Sequence, residues 1–481
     1  MNDSTWFGLL FITLELILCI GLSFRIVMRR LPESTSLAWV LVVLVFPGVG
    51  IILYLLFGEL RLGHWRLRRA HQTSEQMRSW RDELVAGNKV YLESISSGQE
   101  IARAAMSTFE SPVIGGNHVE LLHEWSLVAS RLIQDINQAR HHCHLEFYIW
   151  SEGGFVTEIE EALIRAAGRG VQCRMLVDAV GGQQFLRSPR AKQLQIAGIE
   201  VRTALPAGLI RALFARVDLR MHRKIIVIDD AIGYTGSLNM ADPRYFKKEA
   251  NVGAWVDAMM RVEGPAVEPL SMTFLGDWAQ EGKEVPPSRQ AITPGSVCGT
   301  CSVQVIPSGP TMQKHELERL LLTAIFSARR EIVLTTPYFV PNTFLLGALL
   351  CAVDRGVDVT LIVPTRIDSW LVRHATRVFQ GDLQAVGVKV RHFDAGLLHT
   401  KSITIDGEVS LFGSVNLDPR SFLLNFEITL AIYSRKVTTE LRELQEQYLL
   451  NSHAPDLSQW QRRGTTQRFI ENLARLVGPL L

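Results

Sequence analysis

Cysteine is scarce in this chain, six among 481 residues, which excludes a disulfide framework and demands no oxidising compartment. Cys298 and Cys301 form a lone CxxC without the second pair that a zinc site needs, so it reads as an inert loop. Cys19, Cys143, Cys173 and Cys351 sit mostly in apolar runs and read as core residues. Charge of one sign is also lacking. Lys plus Arg (50) nearly balances Asp plus Glu (48), which argues against a protein whose affinity rests on nucleic-acid phosphates. The start, Met-Asn-Asp, lacks the basic stretch of a signal peptide.

Apolar residues, by contrast, are abundant: 47% of the chain, with a mean hydropathy of +0.13, and most of the excess lies in the first sixty residues. Trp6 to Phe24 is apolar except for Glu15 and two small polar residues, and Ser36 to Phe57 is 22 residues without a charge. Either is long enough to cross about 30 Å of hydrocarbon as a helix, so a transmembrane hairpin is expected over 1–59. Glu15, mid-span, is either a functional group or a polar contact to the second helix. Pro47-Gly48-Val49-Gly50 kinks the second span or makes it re-entrant. Arg25, Arg29 and Arg30 lie in the connecting loop, and Arg61, Arg66, Arg68 and Arg69 follow the second span. The slight excess after that span favours a cytoplasmic body, and these arginines suit an anionic membrane surface.

The rest of the chain is duplicated. "MHRKIIVIDDAIGYTGSLN" (Met221 to Asn239) returns as "LHTKSITIDGEVSLFGSVN" (Leu398 to Asn416), with His399, Lys401, Asp406, Gly413, Ser414 and Asn416 each 177 residues after His222, Lys224, Asp229, Gly236, Ser237 and Asn239. Two copies of one polar constellation suggest a site built between them. Around them, "AAGRGVQCRMLVD" pairs with "AVDRGVDVTLIVP", and "AGIEVR" with "VGVKVR". Strand and helix alternate, which predicts two α/β repeats, each a mixed sheet flanked by helices. The expected domains are a helical connector over 60–125, a first repeat over 126–278, a Pro/Gly/Ser-rich linker over 279–304 and a second repeat over 305–481.

The first repeat carries about a dozen extra residues before its motif. They include Leu209, Ile210, Leu213, Phe214 and Val217 at helical spacing, with Arg211, Arg216 and Arg220 among them. The segment Leu205 to Arg220 is either a core helix or an interfacial helix resting on lipid.

In a strand, side chains two apart share a face, so His222 and Lys224 point one way, as do His399 and Lys401. Two such faces across a pseudo-dyad suit a phosphodiester. The lysines, with Asn239, Asn416 and the Ser237 and Ser414 hydroxyls, would stabilise charge on the non-bridging oxygens. One imidazole would attack phosphorus while the other protonates the leaving alkoxide, then the roles reverse. This chemistry needs no metal or cofactor.

HxK(x)4D(x)6GSxN, present twice, resembles the signature of the phospholipase D superfamily. With "FYIW", "TTPYFVP", "LLHTKS", "NFEITLAI" and the two apolar spans, the chain resembles the membrane-anchored bacterial cardiolipin synthases of that superfamily over nearly its whole length. The resemblance implies a protein of the bacterial inner membrane that turns two phosphatidylglycerol molecules into cardiolipin and glycerol. It implies His222 and His399 as nucleophile and acid/base, with Lys224, Lys401, Asn239 and Asn416 on the phosphate and Asp229 and Asp406 in support. Glu427 matches the carboxylate that orients the histidine of its own repeat. The first repeat offers Asn251 there, with Glu249 two residues away, so His222 is expected to be oriented differently. A hydrolytic phospholipase D, a membrane-tethered nuclease and a non-catalytic scaffold are the alternative readings.

Overall fold

The computed structural model describes residues 3–29, 33–59, 61–62, 64–87, 95–206, 216–282, 284, 295–312 and 315–476. It divides into two units, Met1–Leu67 with Ala207–Leu219, and Arg68–Pro206 with Arg220–Leu481.

Among the described residues of the first unit, one helix, Trp6–Met28, is long and apolar enough to cross a membrane. The second apolar stretch is broken into the helix Glu33–Val45 and a shorter run from Pro47. Proline has no N–H to donate, and Gly48 departs from helical geometry (φ 17°, ψ −64°). The Glu15 carboxylate accepts from the Gly48 amide at 3.1 Å. Of the two readings of Glu15, the structure shows the polar contact: it satisfies a backbone donor at the break. Buried Glu59 accepts from Arg25 (2.6 and 2.9 Å), Arg29 (3.2 Å) and the Tyr54 hydroxyl (2.9 Å). Leu209, Ile210, Arg211, Leu213 and Phe214 lie outside the described residues; the Arg216 amide, just beyond them, donates to the Arg61 carbonyl at 2.7 Å.

The second unit holds a sixteen-stranded mixed sheet, fifteen strands in one continuous order and Arg220–Met221 attached off that path to Asn425–Tyr433. From its centre to one edge run Ile114–Leu122, Met259–Glu263, Ile232–Gly236, Ile225–Ile228, His142–Phe147, Gln172–Asp178 and Glu200–Ala204. To the other edge run Cys301–Ser308, Asn425–Tyr433, Val409–Gly413, Ser402–Ile405, Glu331–Thr335, Asp358–Pro364, Lys389–Phe393 and Ser452–His453. The two series repeat one topology, joined where Ile114–Leu122 pairs antiparallel with Cys301–Ser308. Residues 60–125, expected as a helical connector, thus also supply a central strand. "IGGNHVELL" hides this because Gly116 and Asn117 interrupt the alternation at a register shift. Residues 285–294 of the expected linker lie outside the described residues, while 279–282 end a helix and Cys301 begins a strand.

Each half has its own core, around Phe147, Trp150, Leu163 and Tyr234 in the first and Leu334, Phe339, Leu349 and Leu361 in the second. The strands after the two motifs, "IIVI" and "SITI", are buried throughout, as β-branched runs between two covered faces require.

Candidate active site

His222 and His399 occupy the same place in their halves, on an extended bridge between two short strands. Arg220–Met221 pairs in parallel with Asn425–Phe426 of the other half, and Leu397–Leu398 pairs with Trp255–Val256. The His222 amide donates to the Phe426 carbonyl at 2.9 Å, and that of His399 to Val256 at 2.8 Å. Each motif therefore leaves its own sheet, touches the opposite half, and returns as the strand Ile225–Ile228 or Ser402–Ile405.

This exchange decides the partners. Glu427 Oε2 lies 2.9 Å from His222 Nδ1, and Asp257 Oδ1 lies 2.6 Å from His399 Nδ1. The expectation that Glu427 orients the histidine of its own repeat is corrected: the carboxylates are swapped across the pseudo-dyad. Nor do Asn251 or Glu249 play the part in the first half. Asp257 does, twenty residues after Ser237, where Glu427 follows Ser414 by thirteen. Seven extra residues obscured the match of "AWVD" to "LNFE".

Burial pushes both imidazoles down to about 4, against the pull of their carboxylates and with Lys224 and Lys401 lowering them further. Burial alone would raise Glu427 and Asp257; the facing histidines and the lysines hold both below the ordinary carboxylate range. Each pair is then a neutral imidazole donating from Nδ1 to a carboxylate, leaving the Nε2 lone pair available. Lys224 and Lys401 each donate to the carbonyl of their own histidine at 2.6 Å, which leaves two N–H groups apiece for a ligand. Burial lowers Lys224 to about 8 and Lys401 well below its usual value. Lys401 acts electrostatically on His222 and Lys224 on His399, so the two motifs form one site.

The glycines of the two GSxN segments are required by close approach. A Cβ on Gly236 would stand 2.4 Å from the Ala258 carbonyl, and one on Gly413 2.1 Å from that of Ile428. The serines follow from the same contact. Ser414 Oγ donates to Glu427 at 2.5 Å and accepts from the Ile428 amide, while Ser237 exchanges hydrogen bonds with Ala258. Expected to meet phosphate, both serines instead engage the carboxylate-bearing strands. Asn239 and Asn416 are buried; Asn239 Oδ1 accepts from the Ile149 amide at 3.3 Å, and Asn416 Oδ1 has no partner among the described residues.

Asp229 and Asp406 are not at the site. Asp229 lies five residues beyond Lys224, about 16 Å along an extended chain. Each sits in a left-handed turn (φ 53° and 54°) and accepts three backbone amides at 2.7–2.9 Å: Arg140, His141 and His142 for Asp229, and Arg329, Arg330 and Glu331 for Asp406. They fix the entry of the neighbouring strand.

The halves differ beneath their lysines. Arg223 donates to the carbonyls of Glu427 (3.0 Å) and Ser308 (3.1 Å) and pairs with buried Asp277. Thr400 stands in its place, bonded to Val256 O and the Tyr448 hydroxyl, and Gln445 joins Thr335, Ser402 and Thr404 in a neutral network. The rings covering the histidines also differ, Tyr148 at 5.2 Å from His222 and Trp255 at 4.5 Å from His399. Asp257, Arg223 and Trp255 were missed in the sequence because their partners lie on the opposite repeat.

The family description "Cardiolipin synthase, PLD-like domain" matches residues 132–278 and 321–449, and "Phospholipase D-nuclease N-terminal" matches 17–59. Cardiolipin synthase A of Erwinia tasmaniensis and that of Pectobacterium carotovorum are each 42% identical over 472 residues, covering 97% of this chain and 96% of the relative. Cardiolipin synthase A of Proteus mirabilis is 42% identical over 469 residues with the same coverage. A phosphatidylserine synthase of Haemophilus influenzae shares the fold, with a TM-score of 0.61, 15% identity, 79% of this chain and 100% of that one covered. Near-full-length similarity to synthases does not favour the hydrolytic alternative. A site formed by two His–carboxylate pairs, each joining the two repeats, thus sits in a chain that belongs to the cardiolipin synthase family of phospholipase D-like proteins.

Proposed function

We propose that the protein transfers a phosphatidyl group between two phosphatidylglycerol molecules, giving cardiolipin and glycerol. When the anionic phosphodiester binds, His399 takes up a proton at Nε2; His222 Nε2, still unprotonated, attacks phosphorus, the bond to the headgroup glycerol oxygen breaks, and His399 Nε2–H protonates the departing alkoxide. A hydroxyl of the second phosphatidylglycerol then loses its proton to His399 and attacks phosphorus, and the P–N bond to His222 breaks. Lys224, Lys401, Asn239 and Asn416 neutralise the non-bridging oxygens. Glu427 and Asp257 fix the tautomers through Nδ1, as an orienting carboxylate does elsewhere. The observation that carries this reading is the pair of Nδ1–carboxylate contacts at 2.9 and 2.6 Å, which leaves two Nε2 atoms free in one lysine-rich site.

The detergent-solubilised protein with phosphatidylglycerol alone should yield cardiolipin and free glycerol in equal amounts. Phosphatidic acid with glycerol would assign hydrolysis instead. His222→Ala and His399→Ala should each remove turnover without lowering the unfolding temperature, and a denaturant quench kept at neutral to alkaline pH should trap the phosphatidyl group on His222.

The anchor is a two-pass hairpin in the bacterial inner membrane, with the catalytic body on the cytoplasmic side. The helix Trp6–Met28, the broken apolar stretch after it and the arginines that follow support this. Cys298, which is exposed, should resist a membrane-impermeant maleimide in spheroplasts until they are permeabilised. Immediate labelling would reverse the orientation.

A further inference from the structure

Two loops, one from each half, meet beside His399. In the first half this is residues 242–251, within the region carrying the seven extra residues; in the second it is 365–373. Lys247 Nζ lies 3.2 Å from Asp368, whose other oxygen accepts from the Tyr338 hydroxyl at 2.6 Å. Arg366 donates to the Asn251 carbonyl at 3.2 Å. Lys247 also stands 5.6 Å from the Trp255 ring, and Trp255 in turn covers His399. The loops are thus continuous with the reacting site.

Their outer face combines aromatic rings with cations. Tyr245 and Trp370 are each 59% exposed, far more than rings of this size need to be in a folded protein. Arg244 lies 5.3 Å over Tyr245, as does Lys248. Of the carboxylates, Asp242 is taken by Arg244 and Asp368 by Lys247 and Tyr338. Glu249, Lys248 and Arg366 are all exposed. Exposed Tyr and Trp among Lys and Arg match the boundary of a bilayer, where rings sit at headgroup depth and cations meet lipid phosphate.

We propose that loops 242–251 and 365–373 form the surface by which the catalytic halves meet an anionic phospholipid bilayer, with Tyr245 and Trp370 as its anchors and Lys248 and Arg366 on the phosphates. Lipid headgroups then reach the histidines past Trp255. This rests on the reading that the substrate is a membrane phospholipid. It gives the seven-residue difference between the halves a purpose: one half extends a loop to lipid at the rim of the shared site.

The full chain, with Cys298→Ser and Cys351→Ser, would carry a fluorophore on Tyr245→Cys and be reconstituted into vesicles of phosphatidylglycerol and phosphatidylcholine. A nitroxide on the lipid headgroup should quench it strongly, more so as the phosphatidylglycerol fraction rises. The same label on Ile196→Cys, 86% exposed and remote in sequence from both loops, should be quenched far less. Equal quenching at both positions overturns the proposal. Tyr245→Ser with Trp370→Ser should slow transfer on bilayer phosphatidylglycerol about tenfold, equivalent to about 1.4 kcal/mol. On a monomeric short-chain analogue the loss should be less than about twofold, which also shows that the variant folds. Equal losses on both substrates would assign the rings to structure and overturn the proposal. If the unsubstituted protein makes no cardiolipin from either lipid, the proposed reaction fails, while quenching still decides the contact.

Discussion

Glu427 and His222 belong to different repeats, 205 residues apart, yet their side chains meet at 2.9 Å. The reciprocal contact, Asp257 to His399, makes each half incomplete without the other. Neither repeat on its own holds a histidine with its orienting carboxylate.

The crossed pairing predicts which step each carboxylate serves. Glu427→Gln should slow formation of the phospho-histidine at position 222, and Asp257→Asn should slow proton transfer to and from the alkoxide. Each should lower overall turnover by roughly 10²–10⁴, the range for removing an orienting acid or a general acid–base. Quenched-flow mass spectrometry of the phosphorylated peptide separates the two. A Glu427→Gln variant that phosphorylates His222 at the normal rate would refute the assignment.

Asp229 and Asp406 should behave as structural residues. Asp229→Ala strips acceptors from three amides and should cost about 1–3 kcal/mol of stability, read as a lower denaturant midpoint. Turnover per folded molecule should stay within about threefold, because a change this far from the lysine leaves transition-state contacts intact. Loss of turnover without loss of stability would return Asp229 to the catalytic set.

Lys224 carries its charge below about pH 8 and loses it above. Since the charged form stabilises the pentavalent phosphorus, kcat/KM should fall as pH rises through about 8. On the acid side, neutral histidine is lost only as pH falls towards about 4. Bound phosphodiester, being anionic, should raise one imidazole and draw a proton from solution. Measuring rate against pH, and proton uptake on binding a non-reactive analogue, checks both limbs. A basic limb unchanged in Lys224→Gln would remove the lysine from this role.

The phosphate ligands proposed are ammonium and amide groups, so EDTA at fixed ionic strength should leave turnover unchanged. Among the described residues no group of three or more His, Cys, Asp or Glu is placed to hold a metal ion. A loss restored by one particular divalent cation would contradict the proposed chemistry.

The sequence by itself determined the duplication, the α/β character of both repeats and the identity of the histidines and lysines, because a constant offset of 177 and a period of two are local regularities. It also marked the break at Pro47, which follows from the missing N–H of proline. Only the tertiary structure decided what those residues touch. Asp229 has the spacing of a site residue but turns away at the end of its strand to bind three amides. Ser414 has the look of a phosphate ligand but is spent on Glu427. The partner of each histidine is set by short strands that pair across the pseudo-dyad, and pairings between residues 205 and 142 positions apart leave no periodicity in either segment for the sequence to display.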